Sequence, residues 1–96
     1  MTPKDTFDKQ IALMEAIDRL YENEDFQKVI LEGYFKDECT RTIRASTSCS
    51  LTKEQREDCL HMAQATGFLQ QYLLNAHTQG EIAKNNLTEY LQGNFD

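Results

Sequence analysis

Apolar and small residues recur every three or four positions over the last third of this chain. Met62, Thr66, Leu69, Leu73, Ala76, Gly80, Ala83, Leu87 and Tyr90 follow alternating steps of four and three. This is the a/d pattern of a helix that meets another helix along its length. The capping-box pattern Thr52-Lys53-Glu54-Gln55 opens that helix, and Gly93 supplies its stop. The heptad phase crosses Gly80 unbroken, which predicts one helix of about 40 residues, roughly 60 Å long. A break at Gly80, leaving a short helix from Glu81 to Leu91, is the alternative.

Two shorter helices precede it. Thr2 before Pro3 reads as an N-cap with proline at the first helical position. Phe7, Ile11, Met14, Ile17 and Tyr21, with Leu13 and Leu20 flanking, then make a broad apolar stripe to about Asn23. Asn23 caps a second helix, with Glu24 and Asp25 complementing the dipole of its first turn. Its expected buried face is Phe26, Val29, Ile30, Gly33 or Tyr34, Cys39 and Ile43. Gly33 in mid-helix costs about 1 kcal/mol relative to alanine, so close packing or a kink is expected there. The helix should fade after Arg44 into the small, polar run 45–50.

The pattern therefore specifies an all-α fold: a helical hairpin, residues 4–44, packed on a long C-terminal helix of about 53–92, bundle or coiled-coil-like and kinked at Gly80 if it breaks there. Residues 1–96 make one domain. The helix seam is graded, with large Leu69 and Leu73, small Ala76, Gly80 and Ala83, then large Leu87 and Tyr90. Packing against the first two helices within the chain is the alternative to a contact between chains. Two helices of about 20 residues do not cover one of about 40 along both halves, which favours an intermolecular contact through residues 76–91. Leu69, Leu73, Ala76, Gly80, Ala83, Leu87 and Tyr90 are accordingly expected to form a self-association surface.

Composition narrows the function classes. Ten basic and 16 acidic residues give a net charge of −6, which argues against direct nucleic-acid binding. Hydrophobic content of 40% with 27% charged residues describes a soluble globular protein, not a disordered one. No stretch approaches the ~18–20 apolar residues of a membrane span, so no membrane partner is expected. Cys39, Cys49 and Cys59 form no CxxC pair, which fits free thiols in a reducing compartment.

Chemistry-bearing constellations are weak. Cys59 and His61 point about 200° apart on a helix and cannot share a metal, so no metal or cofactor is expected. Cys49 with His61 or His77 sketches a nucleophile pair that no local motif supports. Glu24/Asp25 and Asp37/Glu38 read as dipole complements and solvated acids. No catalytic residue is assigned, and the chain is not expected to be an enzyme. The one basic departure, Arg41 and Arg44 within a hydroxyl-rich run, is a candidate docking point for an anionic partner, set against simple neutralisation at a helix C-terminus. Tyr34 and Phe35 beside Gly33 read as core packing more readily than as an exposed knob.

Residues Asp25, Phe26, Lys28, Val29, Ile30, Glu32, Gly33, Tyr34, Phe35, Lys36, Asp37 and Glu38 resemble a segment of small acidic helical proteins of tailed bacteriophages, mostly of unassigned role. In those proteins the segment precedes a loop and a long C-terminal helix. The resemblance is concentrated in residues 24–44 and does not extend to the loop 45–50. It implies a phage origin and a non-enzymatic, oligomeric accessory or structural protein acting through helix–helix contacts in virion assembly. The expected partners are itself and another phage or host protein, in the cytoplasm of the bacterial host or in the virion. The alternative is an acidic phage inhibitor that binds a host protein, such as a nucleic-acid-handling or defence enzyme.

Overall fold

A computed structural model describes residues 2–93. Among them every element is helical: α1 (Pro3–Glu22), α2 (Glu24–Phe26), a π-helical segment (Gln27–Glu38), α3 (Cys39–Ala45) and α4 (Lys53–Leu91). The all-α architecture, with helical arms packed on one long C-terminal helix, is as the pattern predicts. α4 runs unbroken through Gly80.

The helix ends follow their sequence signals. Thr2 Oγ1 accepts from the Asp5 N–H and Asp5 Oδ2 accepts from the Thr2 N–H, both at 3.2 Å. The Thr2 backbone and hydroxyl donors hold the Asp5 carboxyl below its ordinary range. Asn23 Oδ1 accepts from the Phe26 N–H at 2.9 Å. At the start of α4, Thr52 Oγ1 accepts from the Gln55 N–H at 3.1 Å, and Gln55 Oε1 accepts from the Thr52 N–H at 2.9 Å. Two donors are thereby satisfied reciprocally. Thr52→Ala is expected to cost about 1 kcal/mol in urea unfolding. Gly93 takes φ 77°, the left-handed stop that only glycine adopts freely.

The described residues form two compact units, one of the residues up to Tyr21 with those from Tyr72 onward, and one of Glu22–Gln71. In the first, α1 lies antiparallel to the C-terminal part of α4. The Phe7 and Tyr90 rings meet edge-on with centroids 6.5 Å apart. Gln10 and Met14 lie against Gly80. Asp18 Oδ1 stands 2.7 Å from His77 Nε2. Phe7, Met14 and Ile17 from α1, with Leu73, Gly80 and Ala83 from α4, are buried here. The Gly80 position is where the two backbones come closest: a Cβ there would fall on that of Met14 and stand 2.9 Å from the Gln10 carbonyl oxygen.

The second unit packs the segment 24–45 against the N-terminal part of α4 through small residues. Thr42 is fully buried, and Ala63 and Thr66 nearly so. Both threonine hydroxyls bond carbonyls of their own helices, Thr42 to Glu38 and Cys39 and Thr66 to Ala63, so their burial leaves no orphan donor. Met62, expected inside, is 54% exposed, and its neighbour Ala63 takes the buried place.

The π-helical winding is the larger correction. Val29 and Ile43, expected inside, are 62% and 44% exposed. The rest of the expected face, Phe26, Ile30, Tyr34 and Cys39, is half-buried as predicted, joined by Leu31 and Phe35, at steps of four to five residues. Such steps keep one face in a wider helix whose hydrogen bonds run i→i+5. From Phe26 to Thr42 an α-helix at about 100° per residue would end about 160° away, on the opposite face. Tyr34 and Phe35 sit half-buried with ring centroids 5.9 Å apart, in line with packing residues. Gly33 is where the winding matters most: a Cβ there would stand 3.2 Å from the carbonyl oxygen of Lys28, five residues back. Gly67 in α4 meets nothing beyond the neighbouring backbone of its own helix at that point. Gly67→Ala should therefore stabilise by about 0.5–1 kcal/mol, the helix-propensity gain. Gly33→Ala should gain markedly less or lose stability. Equal gains in denaturant titrations would contradict the π-helical winding.

Candidate interaction surface

The residues expected to pair with a second copy are largely occupied within the chain. Leu73, Gly80 and Ala83 are buried, and Ala76, Leu87 and Tyr90 are half-buried. Tyr90 and Gly80 sit against Phe7 and Met14 of α1. Leu69 alone of the set is exposed, at 37%. The premise behind the expectation was that two helices of about 20 residues do not cover α4 along both halves. Instead, α1 covers residues from Tyr72 onward and the segment 24–45 covers the part before it. The seam is therefore internal core at Leu73, Gly80 and Ala83, and those positions offer no surface to a partner in this fold.

Arg41 and Arg44 both lie exposed on α3. Arg41 is engaged by Glu38 one turn earlier through two nitrogen–oxygen contacts, a fork on a carboxylate. That pairing holds the Glu38 carboxyl below its ordinary range and raises the Arg41 guanidinium above its own. An incoming anion would have to displace Glu38 from Arg41, which weakens the docking reading. The loop hydroxyls turn inward onto the helix end: Ser46 donates to the Ile43 carbonyl at 2.5 Å and Thr47 to that of Arg44 at 2.8 Å.

Cys39 and Cys59 are half-buried and Cys49 is exposed, all as free thiols. Among the described residues no three His, Cys, Asp or Glu side chains converge as a metal site. His77 lies between Asp18 and Glu81, with Nδ1 3.4 Å from the Glu81 carboxylate. This cluster joins α1 to α4. No helix among them is long and apolar enough to cross a membrane.

What the helices leave uncovered is the outward flank of α4 before residue 72. Phe68 is 75% exposed, the most exposed of the large apolar residues. Gln64, Gly67, Phe68 and Gln71 line an open depression around it, and Leu60, 41% exposed, stands one turn earlier. Spacing of three and four residues puts all five on one side of the helix. Known protein families, curated proteins and solved structures give no match to this chain. The flank must therefore be read from its own chemistry, and the phage resemblance rests on residues 24–44 alone. The neighbouring sequence does carry a signal that periodicity missed. Residues 59–80 contain no Asp, Glu, Lys or Arg, in a chain of which 27% is charged. Exposed helix surface ordinarily carries such charges, and this run departs from that rule.

Proposed function

We propose that this chain is a non-enzymatic, self-associating helical interaction protein, working as an accessory or structural component of phage virion assembly. The observation that carries the interaction reading is Phe68, a large aromatic held in solvent on a charge-free stretch of α4. Isolated exposed apolar residues are common. An aromatic beside a depression, on a helix face stripped of charge, has the composition of an interface core, where aromatics are enriched and charges depleted. The assembly role and the phage setting draw their support from the resemblance of residues 24–44.

The competing reading is an acidic inhibitor of a host protein, supported by the net charge of −6. Salt separates the two. Apolar self-association persists or strengthens as salt rises, whereas docking through an acidic face weakens. Light scattering of the purified chain should show an oligomer whose mass holds between low and high salt. A monomer under both conditions would contradict self-association.

A further inference from the structure

We infer that His77 is a proton-operated tie between α1 and α4. With its ring charged it bonds Asp18 of α1 and Glu81 of its own helix at once; with the proton gone only one of the two bonds is left. His77 Nε2 stands 2.7 Å from Asp18 Oδ1, and Nδ1 stands 3.4 Å from Glu81 Oε1. An ionised carboxylate can only accept, so each ring nitrogen must carry a hydrogen to bond its partner. Neutral imidazole has a single N–H, and its bare nitrogen would turn a lone pair on the remaining carboxylate. Imidazolium donates from both nitrogens and satisfies both carboxylates.

The charges on the two helices favour the protonated ring. On α1, Glu15 and Glu22 lie one turn to either side of Asp18, with Arg19 beside it. On α4, Glu81 is one turn beyond His77 and Lys84 two turns beyond. Residues 59–80 bring no Asp, Glu, Lys or Arg from the other direction. Imidazole in water takes up its proton at about pH 6.5, and carboxyls lose theirs at about pH 4. The tie is therefore complete between those limits and is lost as pH rises past the upper one. Asp18 and His77 belong to different helices, so the proton sets how firmly α1 lies over Leu73, Gly80 and Ala83.

The test is thermal unfolding of the full chain, followed by circular dichroism at about pH 5.5 and about pH 8. Asp18→Asn and Glu81→Gln keep the size and an accepting oxygen and drop the charge. Both positions are more than half exposed, at 56% and 64%, so the fold should survive. Asp18→Asn is expected to lower the melting temperature by about 3–6 °C at the lower pH and by less than about 1 °C at the higher. Glu81→Gln should show a smaller loss, again confined to the lower pH. Combined with His77→Gln, Asp18→Asn should cost the same at both pH values. His61→Gln, at the other histidine, which is exposed, should leave the pH dependence of the Asp18→Asn cost in place. An Asp18→Asn cost that is equal at the two pH values, or that still changes with pH when His77 is glutamine, would overturn the tie.

Discussion

Replacing Gly80 by leucine is expected to lower the stability of the folded chain by about 3 kcal/mol or more, the upper end of overpacking costs. The first atom of any side chain at this position falls on the Met14 Cβ and stands 2.9 Å from the Gln10 carbonyl oxygen. The oxygen belongs to the backbone of α1 and cannot rotate aside, so α1 itself must move away from α4. Leucine then adds three more carbons to a site with no room for the first. Helix propensity works in the opposite direction, favouring alanine over glycine by about 1 kcal/mol. Gly80→Ala is thus the informative milder variant: a net loss in spite of better propensity isolates the steric contact. In thermal unfolding the leucine variant should fall by more than roughly 10 °C. An unchanged melting temperature would mean that α1 does not lie against Gly80.

Leu73→Asp should be at least as damaging. Leu73 is 6% exposed, and losing such a side chain costs about 2–5 kcal/mol through burial and the cavity left behind. The carboxylate adds the penalty of a charge brought into an apolar setting. For a chain of this size, with a total stability of about 5–15 kcal/mol, the sum approaches or exceeds what is available. The variant should lose most of its helical circular dichroism signal at 25 °C. Leu87→Asp, at a half-buried position, should be markedly milder. If Leu73→Asp instead stayed fully helical and merely changed oligomeric state, the stripe would be a surface between chains and not the core of one.

The all-α architecture and the helix ends were legible because they rest on local physics. Thr2, Asn23, Thr52 and Gly93 each act within a few residues of chain, and each does so where its type indicates. The stripe of α1 was legible for the same reason, with Phe7, Met14 and Ile17 buried. What periodicity could not decide was who covers the long helix. The positions Leu73, Gly80 and Ala83 look the same whether α1 or a second copy lies on them. Only the placement of α1 beyond Tyr72 separates the two, and that is a tertiary choice. The π-helical segment misled for a different reason. A period of 3.6 applied to residues 26–43 picks out Phe26, Ile30, Tyr34 and Cys39 correctly but adds Val29 and Ile43, whereas the wider winding adds Leu31, Phe35 and Thr42. The signal at Phe68 was present in the sequence as missing charge, which apolar periodicity does not register.

The central claim is that α1 covers the later part of α4 within one chain. The most direct measurement is a nuclear Overhauser contact between the Phe7 and Tyr90 rings, which meet edge-on with centroids 6.5 Å apart. In a mixture of isotope-labelled and unlabelled chains, the contact is expected within the labelled chain and is expected to be absent between labelled and unlabelled chains. A contact seen only between labelled and unlabelled chains, or none in a chain that remains helical, would contradict the packing of α1 on α4.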